Sequence, residues 1–170
     1  GLWRHVGRNA PKYATSTGTD RYRRGIYTVW RRSAPYASFT NFDAPDRAAC
    51  VVRRARTNTP LQALTLLNDV AFLEMARAFG ERIHTLPSGS RDEKIVFAFQ
   101  TAVSRYPTAR EMEILQEVFE IELTKFKEDA GRAKKIVDES QQSLKDLSEL
   151  ATWIQIGHIL LNLDETISKG

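Results

Sequence analysis

The chain is 170 residues long, 42% of its residues are hydrophobic, and its formal net charge is +4. This length suffices for one domain with its own hydrophobic core, or for a domain with a short arm. A single cysteine, Cys50, excludes a disulfide framework and a cysteine-based zinc site, and its residue type predicts a small buried apolar side chain. No run of about 18 apolar residues occurs, so the sequence predicts no membrane span.

Charge is distributed unevenly along the chain. Residues 1–60 hold 12 Lys/Arg against 3 Asp/Glu, a net charge of +9, whereas residues 61–170 have a net charge of −5. A basic arm beside an acidic body has two interpretations. In the one we favour, the arm packs on the body, or on another part of a longer protein, through ion pairs. In the other, the arm binds a polyanion.

Residues 1–58 predict a largely irregular, aromatic- and arginine-rich arm. Glycine, proline and small polar residues are frequent there, and no long helical period survives. The aromatic residues are too many for a disordered tail, so we expect them to be buried against something. Ile26–Trp30 is rich in β-formers and predicts a short strand or an extended tether. Arginines alternate with these aromatic residues, but no recognised nucleic-acid module accompanies them, which argues against nucleic acid as a ligand.

From Thr59 onward the sequence predicts helices. Thr59-Pro60-Leu61-Gln62 combines an N-cap, a first-position proline and a capping-box glutamine, and apolar residues then recur for about six turns, until Leu86-Pro87. Similar starts follow at Ser90, Thr108 and Asp146, whereas residues 132–145 suit a helix or a loop and Gly131 suits an interruption. The sequence therefore predicts a mainly α fold. We expect an irregular bundle of about four to five helices over residues 59–170, with the basic arm of residues 1–58 packed on it as one structural unit.

The densest polar segment runs from Phe42 to Asp69 and reads FDAPDRAACVVRRARTNTPLQALTLLND. Arginines beside the free N–H groups of a helix N-terminus can hold a carboxylate, a sulfate or a phosphate. The candidates for such an anion site are Arg53, Arg54, Arg56 and Asn58. The interpretation we favour is an internal network that fixes the arm. The candidates for this network, or for acid–base chemistry, are Asp43, Asp46, Asn68 and Asp69.

No motif identifies a catalytic residue or a metal site. The sequence contains no GxGxxG, P-loop, HExxH, GxSxG or CxxCH pattern, so no c-type haem attaches within this chain. The histidines, His5, His84 and His158, lie far apart, and His158 falls on an apolar stripe that predicts a satisfied core histidine. We therefore predict no metal and no cofactor in this chain.

Three segments of the sequence resemble one family. They are YRRGIYTVWRR (Tyr22–Arg32), the Phe42–Asp69 segment and LATWIQIGHILLNLDE (Leu150–Glu165), whereas residues 88–145 are generic. Together they are similar to the C-terminal part of the planctomycete-type domain of unknown function 1553. The RTNTPLQALTLLND string (Arg56–Asp69) is the most specific match, and His158 is a departure from the family pattern.

The resemblance implies a setting and no mechanism. Family members are large exported proteins of environmental bacteria that join this domain to a second domain of unknown function, often with a cytochrome c domain upstream. The first residues, from Gly1 to His5, resemble neither an initiator nor a signal peptide, so we expect the chain to begin inside such a protein. On that analogy the location is exported, periplasmic or cell-envelope, any haem is carried upstream, and the missing N-terminal domains are partners.

Three functional hypotheses follow. The first is a non-catalytic accessory or interaction module of an exported cell-envelope protein, since no catalytic motif is present. The second is part of an enzyme acting on an extracellular polymer such as a polysaccharide, with the arginines binding an anionic group and Asp43 or Asp46 as acid–base residues. The third is polyanion binding by the basic arm, which predicts an affinity that falls steeply with salt.

Overall fold

The computed structural model describes residues 16–30, 35–53, 55–87, 89–138 and 147–167. Within these ranges the regular structure is helical and includes no β-strand, which confirms the predicted mainly α fold. The chain divides into two compact units, residues 1–62 and residues 63–170, with the division inside helix α2 (Pro60–Asn68). The packing of the basic arm on the helical body stays a prediction.

The described part of the first unit contains short elements. Two 3₁₀ turns, Gly18–Tyr22 and Gly25–Tyr27, precede helix α1 (Ala37–Asn41). The prediction of a strand or tether at Ile26–Trp30 was wrong for Ile26 and Tyr27, which lie in a 3₁₀ turn. The Tyr27 N–H donates to the Arg24 carbonyl at 3.0 Å and closes this turn. Gly25 permits this turn to lie against α1, since a Cβ added there would stand 2.7 Å from Cε1 of Phe39.

A small aromatic cluster supports these turns. Trp30 stacks on Phe39 with ring centroids 5.1 Å apart, and Tyr36 meets Phe39 edge-on at 5.6 Å. The expectation that the aromatic residues of the arm are buried holds only in part. Trp30 and Phe39 are half-buried, whereas Tyr22, Tyr27 and Tyr36 are exposed. Trp3 and Tyr13 lie outside the described residues.

The long helix predicted to follow Thr59 is two helices, α2 and α3 (Val70–His84). The break falls at Asp69, whose backbone is extended and whose carboxylate accepts from the Ala71 N–H at 2.9 Å. An aspartate in that position caps a new helix more favourably than it continues an old one. Periodicity alone did not show the break, because the apolar spacing runs through it.

In the described part of the second unit, five further helices follow. They are α4 (Arg91–Val103), α5 (Ala109–Glu128), α6 (Ala130–Ile136), α7 (Leu147–Leu161) and α8 (Asp164–Ile167). Capping boxes at Ser90 and Thr108 begin α4 and α5 as predicted. Gly131 lies inside α6, and the interruption expected there falls at Asp129 instead. The predicted start at Asp146 lies outside the described residues.

Helix α7 lies at the centre of the core of the second unit. Trp153, Ile156 and Leu160 are buried there with Phe99 of α4 and Phe119 of α5. A smaller cluster joins α5, α6 and α7 through the following buried side chains: Phe126, Ala133, Val137, Leu150, Ala151 and Ile154. Helices α3 and α7 approach closely at Gly80, where an added Cβ would lie 2.4 Å from the Ile154 Cα. His158 is half-buried with Nε2 3.2 Å from the Leu66 carbonyl, which agrees with a satisfied core histidine.

Candidate functional site

One carboxylate closes the base of the arginine loop, which we define as residues 44–56. The backbone N–H of Thr57 donates to Asp43 at 2.7 Å, and the Thr57 hydroxyl donates to the same carboxylate at 2.9 Å. Asp43 has a left-handed backbone with φ of 56°, a conformation that aspartate tolerates better than most residues. These bonds bring together residues 14 positions apart, so the segment between them forms a closed surface loop.

A buried glutamine, Gln62, stabilises the base of this loop through hydrogen bonds. The Gln62 Nε2 group donates to the Asn41 carbonyl at 2.7 Å and to the Thr57 hydroxyl oxygen at 3.0 Å. Its Oε1 accepts from the Thr59 N–H at 3.0 Å, and because the Gln62 backbone N–H also donates to the Thr59 hydroxyl at 3.2 Å, the predicted capping box is complete. Gln62 is only 3% exposed, so the three bonds satisfy an amide that would otherwise be costly to bury.

A second carboxylate, that of Asp46, stabilises the N-terminal part of the loop. Asp46 accepts from the Ala48 N–H at 2.9 Å, which forms a local turn of the kind that aspartate favours. Arg47 has φ of 61°, and its guanidinium lies 4.9 Å from the centroid of the Trp30 ring. The cation–π contact therefore ties the loop to the aromatic cluster of the same unit.

The described residues of the loop after Pro45 are exposed to solvent. Val52 is fully exposed and Val51 is 51% exposed. Arg53 and Arg56 are also exposed, and among the described residues neither guanidinium forms an ion pair or a hydrogen bond. Cys50 is exposed, so the prediction of a buried apolar cysteine was wrong, because the loop that carries it has no core to enter. Arg54 lies outside the described residues.

The structure places the other candidate residues in local structural roles. Asn68 donates to the Leu64 carbonyl at 2.8 Å near the end of α2, and Asp69 is the N-cap of α3. Asn58 is exposed and sits beside the loop base. The carboxylates thus accept from Thr57 and from backbone N–H groups, and among the described residues Arg53 and Arg56 form no ion pair with them. Sequence reasoning did not single out Thr57, although its place between the arginines and the helix cap was a usable signal.

Two surface depressions lie at the start of α4 in the second unit. One, of about 300 Å³, is lined by Gly89, Arg91, Lys94, Phe119, Leu123, Lys127, Glu149 and Trp153. The other, of about 450 Å³, is lined by Ser90, Arg91, Asp92, Gln116, Glu117 and Glu120. Arg91 pairs with Glu120, and Lys94 donates to the His84 carbonyl at 2.9 Å. Charges of both signs therefore meet there, with basic side chains in excess in the smaller depression and acidic side chains in excess in the larger one.

A carboxyl group with a strongly lowered pKa belongs to an ion-pair cluster at a helix start. Arg105 donates to both oxygens of Glu111, at 2.7 and 2.9 Å, and also to Glu165 at 2.8 Å. The bonds from Arg105, followed by the backbone bond from Thr108, lower the pKa of Glu111 to about 2. The two carboxylates in turn raise the pKa of Arg105. Because Arg105 pairs with Glu111 of α5 and with Glu165 of α8, the cluster joins these two helices.

The described part of the chain contains no grouping of His, Cys, Asp and Glu suited to hold a metal ion. Within the same residues, no helix has the length and the apolar character that crossing a membrane requires.

One family model matches the chain over more than half of its length. The family model described as PSD1, protein of unknown function (DUF1553), matches residues 4–119, about two thirds of the chain. The match includes Tyr22–Arg32 and Phe42–Asp69, extends into the generic helices, and ends before Leu150–Glu165. No curated protein and no solved structure matches the chain. The chain belongs to the DUF1553 family of proteins of unknown function.

Proposed function

We propose that this chain is a non-catalytic interaction module of an exported cell-envelope protein, and that the arginine loop is its contact surface. One observation carries the proposal. The base of the loop is fixed by Asp43, Thr57 and Gln62, while Arg53, Arg56 and the two valines between Cys50 and Arg53 face solvent. A rigid base with an exposed tip is the usual arrangement of loops that bind.

The roles of the carboxylates support a non-catalytic module. Asp43 accepts hydrogen bonds from a backbone N–H and from a hydroxyl group, and Asp46 accepts one from a backbone N–H. A general base must have a lone pair within reach of a substrate proton. Since these carboxylates hold the loop in shape, using either one for proton transfer would disturb the element that presents the arginines.

The cellular setting belongs to the same proposal and is supported by the family resemblance. We place the protein outside the cytoplasm, with a c-type haem in an upstream domain and with the upstream domains as intramolecular partners. Fractionation of cells that make the full-length protein, with haem staining of each fraction, tests this setting. A protein found in the cytoplasmic fraction would contradict it.

A second candidate function is part of an enzyme acting on an extracellular polymer. The exposed guanidinium groups of Arg53 and Arg56 favour this candidate. A guanidinium group binds a carboxylate or a sulfate through two parallel hydrogen bonds. This candidate predicts release of reducing ends from an anionic polysaccharide and loss of that release in Asp43→Asn and Asp46→Asn. The interaction module predicts no release by any of these proteins.

Amide hydrogen exchange tests the contact surface directly. The chain is incubated with and without an isolated bacterial cell-envelope fraction, and exchange is followed in peptides from residues 44–56 and from α5. We expect slower exchange in the loop peptides upon addition of the envelope fraction, with α5 unchanged. Protection confined to the second unit, or none at all, would reject the arginine loop as the contact surface.

A further inference from the structure

Resting on the proposed function, we propose that the partner of the arginine loop is an anionic lipid surface, which the loop binds peripherally by inserting Val51 and Val52 while Arg53 and Arg56 meet the headgroups. Two properties of the first unit lead to this partner. They are the apolar tip of the loop and the unbalanced positive charge around it.

The loop tip presents apolar side chains that no fold requirement explains. Val52 is fully exposed and Val51 half-exposed, although valine is a residue type that proteins usually bury. Single exposed apolar residues are ordinary, but two adjacent ones at the tip of a loop with a fixed base form a wedge. A wedge of this kind gains free energy on entering the boundary between headgroups and acyl chains.

The charge around the wedge is positive and is not neutralised within the unit. The only acidic residues in positions 1–60 are Asp20, Asp43 and Asp46. Asp20 pairs with Arg23, and the other two accept the hydrogen bonds that shape the loop. Arg53 and Arg56 are exposed at the surface, where anionic headgroups attract each basic residue.

Ile26 and Tyr27 form a second exposed apolar pair, in a turn that contacts the same aromatic cluster as the loop. Ile26 is 77% and Tyr27 is 65% exposed, in the 3₁₀ turn that begins at Gly25. That turn lies against Phe39, which stacks on Trp30, the ring beneath Arg47 of the loop. The chain of contacts joins the loop and the turn within the first unit, and tyrosine is a residue type that favours the membrane–water interface.

The combination of valines and arginines distinguishes lipid from other anionic partners. A soluble polyanion uses the arginines alone, because it offers no apolar phase to the valines. A lipid surface uses both. The described residues include no helix that could cross a membrane, which is consistent with peripheral binding.

The test is co-sedimentation of the 170-residue chain with vesicles. One set contains equal parts of phosphatidylglycerol and phosphatidylcholine, and the other contains phosphatidylcholine alone. We expect binding to the anionic set only, weakening as salt rises, since the screening length falls from about 10 Å at 0.1 M salt to about 3 Å at 1 M. Each of Arg53→Gln and Arg56→Gln lowers the partition coefficient about fivefold. Val52→Ser lowers it by about tenfold, because the tip no longer enters the apolar boundary.

Matched controls come from the second unit. Val70 is 62% exposed on α3, and Val70→Ser leaves vesicle binding unchanged. Arg110 is exposed on α5, and Arg110→Gln also leaves it unchanged. All five substitutions fall on exposed side chains, so none removes a buried group needed for folding.

Three results overturn the lipid proposal. They are a wild-type chain that does not sediment with anionic vesicles, a Val52→Ser variant that binds them as well as wild type, and binding to heparin with none to vesicles. If vesicles fail while a cell-envelope fraction still protects residues 44–56, only the lipid partner is rejected. If both fail, the proposed function falls as well.

Discussion

The two units of the chain are stabilised in different ways. Among the described residues 16–62, Gln62 is the only buried side chain, and it is held by hydrogen bonds to Asn41, Thr57 and Thr59. In the second unit, by contrast, Trp153, Phe99 and their neighbours form an apolar core. A hydrogen-bonded network requires particular side chains at particular positions, whereas an apolar core accepts many combinations of similar volume.

The largest loss of unfolding free energy should follow from removing a large side chain from the apolar core. Trp153 is fully buried on α7 and contacts Phe119 with centroids 4.6 Å apart. Trp153→Ala should therefore lower the free energy of unfolding by about 3–5 kcal/mol, measured by urea denaturation. Ile114→Ala, at a position 44% exposed on α5, should cost much less. Equal losses in the two variants would mean that the core is not centred on α7.

A smaller loss should follow from pushing two helices apart. A methyl group at Gly80 would lie 2.4 Å from the Ile154 Cα, so backbone must move to admit it. Gly80→Ala should cost about 1–3 kcal/mol of unfolding free energy, despite the better helix propensity of alanine. In Gly131→Ala, the new methyl meets only the Asp129 carboxylate, at 3.1 Å, and thermal unfolding should change little. A stabilised Gly80→Ala variant would show that α3 and α7 do not cross so closely.

The hydrogen-bonded unit should break locally rather than globally. Asp43→Ala removes the bonds to Thr57 and places alanine at a positive φ, so the loop base should lose about 1–2 kcal/mol. Trypsin should then cleave after Arg53 and Arg56 about tenfold faster than in wild type, as followed by mass spectrometry. Asp46→Ala removes a single bond and should have the smaller effect. Faster cleavage in Asp46→Ala than in Asp43→Ala would show that Asp46, and not Asp43, closes the loop.

The smallest effect should come from the exposed ion pairs of the second unit, and it should depend on pH. Arg105 holds the pKa of Glu111 at about 2, below its ordinary value of 4.5. The folded state therefore binds fewer protons than the unfolded state between these values, so the stabilisation is present above pH 4.5 and is lost as pH falls towards 2. Glu111→Gln should lower the melting temperature modestly at neutral pH and should match wild type near pH 2. A difference that persists at low pH would contradict the ion-pair account.

Much of the second unit followed from sequence because its signals are local. The capping boxes at Ser90 and Thr108 each combine two side chains three residues apart, and each begins the helix it predicted. The break at Asp69 was missed because apolar periodicity continues across it, although aspartate before a new apolar run is a capping signal in its own right. Here the capping residue Asp69 determines where α3 begins, although the apolar periodicity continues through both helices.

The loop base depended on long-range contacts that no local pattern reveals. The bond between Asp43 and Thr57 joins residues 14 positions apart, and the bond between Gln62 and Asn41 joins residues 21 apart. Sequence reasoning marked Asp43 as a network residue and Gln62 as a capping residue, but it did not join them through Thr57. It also assigned Cys50 to a core, because residue type predicts burial only where a core exists.

The measurement that tests the central claim most directly is residue-resolved amide hydrogen exchange at Thr57, by NMR, in the wild-type chain and in Asp43→Ala. If the Asp43 carboxylate closes the loop and is not held ready for chemistry, the Thr57 amide exchanges more slowly than the amides of Val52 and Arg53, and this protection disappears in the variant. A Thr57 amide that exchanges as fast as the loop tip in the wild-type chain would contradict the account and return Asp43 to the list of candidate acid–base residues.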